Sequence, residues 1–277
     1  MQQQLELKLQ RGTTSAEQLM VEINNPSDLS NSERRQILDN CKLYNLSFYR
    51  SAQPVSNSAT FKALAAQLGL QNLCDNPMAD AHKISHITVN PNSRYIPYTE
   101  RALSWHTDGY YNADADIIRA FMMHCVQPAP EGGVNEYLDH EVVYILLYQE
   151  NTNYIEALRH PHAFTIPANE GERDAQSSPV FREDPITNRL LMHYTERSQH
   201  IKWHPSCEEA LDCLRTLLRT SRYKISYKLA AGEGVICNNV LHNRNAFADS
   251  DTLAKRLLYR ARSRNRVGGS ETGAVEK

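Results

Sequence analysis

No stretch of this sequence approaches the roughly 18 consecutive apolar residues of a membrane span, and its opening MQQQLELKLQRGTTSAEQ holds no apolar core of signal-peptide length. A membrane-spanning or secreted protein is therefore not expected, and the chain reads as cytoplasmic. No C-x-x-C pair occurs among Cys41, Cys74, Cys125, Cys207, Cys213 and Cys237, which excludes a dense disulfide framework and leaves six free thiols. Net charge is almost missing as well. Thirty basic side chains against 32 acidic ones leave −2, too little to draw the chain to nucleic acid or to a membrane surface. Internal repeats and low-complexity linkers are absent, and the prolines and glycines punctuate short segments instead of marking one boundary. At 277 residues the length suits a single domain, assigned to residues 1–266, with the polar, Gly- and Ser-rich 267–277 as a disordered tail. The expected partner is a small-molecule substrate, and self-association into a homo-oligomer is left open.

What is present changes character along the chain. Ser32 to Tyr44 has a serine at a plausible cap and apolar residues at Ile37, Leu38 and Cys41, which predicts an amphipathic helix; LSFYR then reads as a strand. Thr60 to Leu73 carries Phe61, Leu64, Ala65 and Leu68 on one helical face. From Lys83 onward the pattern turns to short β-prone runs, HITV, DIIRAFMMHCV and VNEYLDH. Helical spacing returns at Glu141 to Arg159 and at Ser206 to Thr220, before strands at YKISYKL, GEGVICNNVLHNR and KRLLYRARS. Early and late strands around helical insertions suit a mainly β jelly-roll with flanking helices.

Within that frame Trp105-His106-Thr107-Asp108-Gly109 sets an imidazole and a carboxylate two residues apart, so on extended chain both leave the same face and can share one ion. His242 follows the strand-like GVICNNVL, far enough downstream for a closing barrel to return it to the first pair. Two histidines and one carboxylate form the facial site of non-haem iron(II) oxygenases, which leaves the opposite face open to cosubstrate and dioxygen. A dicarboxylate cosubstrate needs a cation at its far end, because a carboxylate buried alone is costly. Arg260 is the candidate, with Arg256 on the same face of RLLYRAR.

These residues are also where the sequence resembles the taurine dioxygenase branch of the iron(II)/2-oxoglutarate oxygenases, through HTD at 106–108, the P-x-x-GG-x-N segment from Pro128 to Asn135, and NNVLHNRNAF followed by RLLYR at 256–260. A closer likeness is to the γ-butyrobetaine hydroxylase group, through YTERALSWHTD from Tyr98 to Asp108 and MMHCVQ from Met122 to Gln127. The resemblance covers roughly residues 85–264. It implies a double-stranded β-helix of the clavaminate synthase-like type, with His106, Asp108 and His242 binding iron(II). It also implies that Arg260 holds the far carboxylate of 2-oxoglutarate and that Arg256 lies near the other end. Asn135 stands where taurine dioxygenase has a threonine, and its amide could still donate to the cosubstrate. Asp108 is the carboxylate that related halogenases lack, so hydroxylation or desaturation of a small polar substrate, such as an amino acid or betaine, is implied, with release of succinate and carbon dioxide.

Other features read as ordinary structure. The pairs His82/His86, His160/His162 and His200/His204 lack further ligands nearby and read as surface or loop histidines. Arg262, Arg264 and Arg266 read as solvated at the end of the last strand. Tyr98 and Tyr110 are candidates to line the substrate pocket, and Arg197 to meet a substrate carboxylate, against core packing and a surface ion pair respectively. A cupin-like metalloenzyme without 2-oxoglutarate and a catalytically silent small-molecule binder remain as alternatives.

Overall fold

A computed structural model describes residues 2–93, 95–169, 174–249 and 255–269. The first long helix, Asn31–Tyr44, is started by Ser30 and not Ser32: the Ser30 hydroxyl accepts from the Glu33 amide while the Glu33 carboxylate accepts from the Ser30 amide. Glu33 lies three residues after Ser30, the spacing this reciprocal cap requires. Asn45, at φ 59°, ends the helix in the left-handed region. The next helix, Ser58–Gln67, is capped by Asn57 and stops short of the expected Leu73, because Gly69 takes φ +88°.

The chain is mainly β. A six-stranded sheet runs in the order Met20–Ile23, Leu46–Ser51, Glu233–Cys237, Ala120–Gln127, Leu257–Ser263, Ser85–Ile87. Its first pair is parallel and the rest are antiparallel, so early strands lie against late ones. A four-stranded antiparallel sheet runs Ile225–Tyr227, Asn135–Leu138, Leu241–Arg244, Leu103–His106. The expected single strand through GEGVICNNVLHNR is two strands of different sheets, divided at Asn238-Asn239, where Asn239 takes φ +50°.

Strand alternation decides what each face meets. Along Leu257–Ser263, Tyr259 and Ala261 face Ile37, Phe61 and Leu64 of the two N-terminal helices. Leu258 faces the other way, into a cluster where Phe121, Met123 and Val235 of the large sheet meet Tyr137, Ile225 and Val240 from the small-sheet side. A third cluster covers the outer face of the small sheet with helices His140–Glu150, Thr152–Leu158 and Glu208–Thr220. The single helix expected over Glu141 to Arg159 is broken at Asn151, whose side chain caps the next helix through the Asn153 amide. Each fully buried Leu or Phe in these clusters contributes about 2 kcal/mol.

Among the described residues no helix is long and apolar enough to cross a membrane, and all six cysteines are free. Val267 to Gly269, expected to begin a disordered tail, make hydrogen bonds instead: the Val267 amide donates to Asn238 Oδ1 and the Gly268 amide to the Leu68 carbonyl, 3.0 and 2.9 Å. Residues 270–277 lie outside the described residues.

Candidate active site

The small sheet brings His106, Asp108 and His242 together. His106 ends its strand directly opposite His242 in antiparallel register, with ring centroids 4.2 Å apart. Thr107, between the first two, faces away: its amide donates to the Tyr194 carbonyl at 3.0 Å and its hydroxyl accepts from the Tyr194 amide at 3.1 Å. That two-way clamp commits both neighbours of Thr107 to the interior. Gly109 then turns the chain at φ +71°, where an added Cβ would lie 2.7 Å from Ile118 Cδ1. Asn239 fixes the turn from the His242 side: its side chain accepts from the Asp108 amide at 2.8 Å and donates to the Asp108 and Ile118 carbonyls at 2.9 and 2.8 Å. One ligating atom from each of His106, Asp108 and His242 lies within 4.8 Å of the others, and all three residues are buried.

The chemistry of this set suits a divalent transition metal. The Nδ1 atoms of His106 and His242 meet the carbonyls of Ser104 and Val240, at 2.9 and 3.0 Å. A carbonyl only accepts, so each Nδ1 carries the proton and each Nε2 keeps its lone pair. Burial, and then His106, pushes the His242 imidazole down to about 3; burial lowers His106 as well. Burial alone would raise the Asp108 carboxyl, but Arg260, Arg262 and the two imidazoles hold it well below the usual carboxylate range. Asp108 Oδ2 is buried without a hydrogen-bond partner among the described residues. Two neutral nitrogen donors and an ionised, unsatisfied oxygen are the donor types of the two-histidine, one-carboxylate iron site.

The arginines around it do not lie where sequence reasoning put them all. Arg260 Nη1 is 3.7 Å from Asp108 Oδ1, and its buried Nε has no partner. Arg262 is buried rather than solvated, 8% exposed, with Nη1 donating to Tyr111 Oη at 3.4 Å. Arg264 and Arg266 are half-buried and bonded to Asp116 and Asn45. Arg262 was misread because the last strand, Leu257–Ser263, is covered on both sides, and Arg264 and Arg266 because the chain beyond it packs back on Asp116 and Asn45. Arg256 is buried further from the carboxylate, in a cleft with Gly132, Gly133, Asn135, Cys125 and Leu258. Among the described residues its Nη1 has no hydrogen-bond partner, and neither have the buried hydroxyls of Tyr98 and Tyr137. The Asn135 amide nitrogen is engaged by the Asn243 carbonyl at 2.8 Å.

Tyr98 lies in the cluster between the sheets with Phe121, whose ring is 4.5 Å from that of His242. Tyr110 is half-buried and packs on Tyr111 and the outer cluster, and Arg197 is exposed. His124, within the MMHCVQ segment, points out of the site toward Tyr49, 3.2 Å away. Sequence reasoning missed Arg244. Two residues past His242, it donates to the carbonyls of Pro97, Thr99 and Arg101, and with Arg256 it flanks the Phe247 ring, each guanidinium carbon 4.7 Å from the centroid. Asn239 and Tyr137 were missed too, since a lone polar residue in a β-prone run carries no period.

A family described as taurine catabolism dioxygenase TauD, TfdA matches residues 7–262. A uridine-5'-phosphate dioxygenase of Amycolatopsis sp is 29% identical over 190 residues, 64% of this chain and 66% of that protein. The chain thus spans just under two thirds of the length of that curated relative. Among solved structures, asparagine oxygenase in complex with Fe(II), 2S,3S-3-hydroxyasparagine and succinate is similar with a TM-score of 0.64 and 15% identity, covering 95% of this chain and 90% of that one. A taurine dioxygenase from Burkholderia xenovorans is similar with a TM-score of 0.57 and 19% identity, covering 88% and 87%. At these identities the two structural likenesses are likenesses of fold.

Proposed function

The chain belongs to the TauD, TfdA family of dioxygenases, and from that premise we propose that it oxidises a small polar substrate at an iron held by His106, Asp108 and His242. It is a 2-oxoglutarate-dependent dioxygenase, using iron(II), 2-oxoglutarate and dioxygen. The observation that carries the ligand assignment is the buried trio of donor atoms within 4.8 Å of one another, with Asp108 ionised and its Oδ2 unsatisfied. The two facing sheets are the halves of a double-stranded β-helix, the clavaminate synthase-like jelly-roll.

When bound, iron(II) and 2-oxoglutarate supply an oxidative decarboxylation that yields succinate and carbon dioxide and oxidises a C–H bond of the substrate. The protein's own residues orient and exclude water. Arg256, rather than Arg260, holds the far carboxylate of the cosubstrate. Its Nη1, in a cleft lined by Gly132, Gly133 and Asn135, and the buried Tyr137 hydroxyl are donors without an acceptor among the described residues. Asn135, its amide nitrogen already engaged, shapes that cleft. Arg260 stands beside Asp108, keeps it ionised and faces the reacting end of the site. Phe121 and Tyr98 close the interior around His242, and Asn239 fixes the Asp108 turn.

An amino acid or a betaine fits the small polar class, with Tyr98 as the contact that the γ-butyrobetaine hydroxylase-like grouping supplies. Tyr110 and Arg197 stay at the rim. The curated relative's named substrate, uridine-5'-phosphate, adds phosphorylated molecules to the candidates. The test is anaerobic reconstitution with iron(II) and 2-oxoglutarate. The expected result is a visible metal-to-ligand charge-transfer band that His106→Ala abolishes. No band in the folded, iron-loaded wild type would refute the site.

A further inference from the structure

We propose that Arg262, backed by Tyr111 and adjoining Arg260, receives the doubly charged headgroup of a phosphate monoester substrate. This rests on the iron(II)/2-oxoglutarate reading of the site and narrows its substrate class.

Arg260 and Arg262 are two apart on one strand, so both side chains leave the face that carries Met123 and Phe121 in register. That face is the metal side: Phe121 touches His242, and Arg260 is 3.7 Å from Asp108. Both arginines are buried, 9% and 8% exposed. The nearby guanidiniums at 264 and 119 have carboxylate partners, Asp116 and Asp184. Among the described residues Arg262 has no such pair, and its side chain makes one hydrogen bond, the long contact to the neutral Tyr111 hydroxyl. Asp108 is the carboxylate that acts on it, from a distance, and the same carboxylate serves Arg260 and the metal.

The charges of the loaded site follow. Asp108 and the near carboxylate of 2-oxoglutarate neutralise iron(II), and Arg256 answers the far carboxylate. Arg244, also buried, is answered by three backbone carbonyls; among the described residues beside the metal that leaves Arg260 and Arg262 without an anion of their own, and a buried charge without a partner is costly. A phosphate monoester brings two negative charges and a tetrahedral set of oxygens that two guanidinium forks can share. Tyr111 fits the same role: its oxygen accepts from Arg262, which leaves its own proton to donate to a ligand oxygen. A zwitterionic amino acid or betaine has no net charge and would set its cation against the second guanidinium, and a sulfonate would leave one arginine unanswered.

The experiment uses the iron(II)- and 2-oxoglutarate-loaded protein without oxygen, and follows ligand binding by calorimetry and by the change in the visible band. The ligands are uridine 5'-phosphate against uridine, glycerol 3-phosphate against glycerol, and L-asparagine, L-aspartate and glycine betaine. A phosphate ester is expected to bind at least tenfold more tightly than its unphosphorylated partner and than the other three. Arg262→Gln should lose at least thirtyfold of that affinity and Arg262→Lys less, with 2-oxoglutarate affinity within twofold of wild type in both. The wild-type comparison needs no variant, so it stands if Arg262→Gln fails to fold. Neither ester perturbing a band that forms normally, tighter binding of asparagine, aspartate or betaine, or a folded Arg262→Gln that binds the ester like wild type would each overturn the proposal. Absence of the band itself would refute the underlying metal-site reading and this proposal with it.

Discussion

Replacing Arg256 by glutamine should cost most of the protein's hold on 2-oxoglutarate and little of its stability. The guanidinium is buried, and among the described residues its Nη1 donates to nothing. Removing it therefore breaks no internal bond at that atom. What is lost is the stacking over Phe247, 4.7 Å from the ring centroid, worth about 0.5–1 kcal/mol. Against that loss stands relief from burying a cation, since burial lowers the Arg256 pKa from its ordinary value. The net change in stability without cosubstrate should stay under about 1 kcal/mol by these magnitudes. With cosubstrate present, two charge-assisted hydrogen bonds disappear, each worth about 1.5–3 kcal/mol. Glutamine restores part of one, which leaves a loss of about 3 kcal/mol, or about 150-fold in Kd. Arg260→Gln should change 2-oxoglutarate affinity less than about tenfold, or about 1.4 kcal/mol, because its guanidinium stands beside Asp108, at the metal end. The assay is anaerobic titration of 2-oxoglutarate into the iron(II) protein, followed by the visible band, with thermal melting of the metal-free variants alongside. If Arg260→Gln loses more affinity than Arg256→Gln, the far carboxylate lies at 260, as the sequence first indicated, and the reasoning from orphaned donors fails.

Acidification should destabilise the fold between pH 6.5 and 4. Burial pushes His193 and His124 down to about 4 from 6.5, so folded protein keeps them neutral where unfolded chain takes up protons. Each contributes up to about 3 kcal/mol, fully present above the unfolded pKa and gone below the folded one. Urea unfolding of wild type and His193→Gln at pH 7 and 5 checks this, and an unchanged pH slope in the variant would count against it. Arg119→Met should cost about 3–5 kcal/mol, because it strands Asp184, which is 0% exposed and takes two bonds from that guanidinium; a loss under about 1 kcal/mol in chemical denaturation would contradict it. Asn239→Ala, which frees the Asp108 turn of three hydrogen bonds, should weaken iron(II) affinity about 10- to 100-fold. Competition with a chromogenic chelator measures that, and unchanged affinity would assign Asn239 to the fold alone.

The His106-x-Asp108 pair was legible because strand alternation turns a spacing of two into a shared face, and His242 because a late strand had to return beside an early one. The register that sets His242 opposite His106 is a tertiary fact, invisible in either segment. The arginines show where periodicity stops. Positions 256, 260 and 262 share parity, but parity does not say how far along the strand each side chain lies from the metal. Nor did it show that Leu257–Ser263 is a central strand with neighbours on both edges, which is why Arg262 looked solvated. Helix ends failed where local chemistry outweighs apolar spacing: Ser30 with Glu33, Gly69, and Asn151.

Arg244 has a meaning for anyone reshaping this protein. Its guanidinium staples three carbonyls of the segment from Pro97 to Arg101 onto the strand that carries His242. Replacing Arg244 would release that segment and the strand of an iron ligand together, whereas side-chain changes within 97–101 leave the three carbonyl acceptors in place. Diversity belongs instead in the rim from Arg197 to Ile201, where side chains are half-buried or exposed.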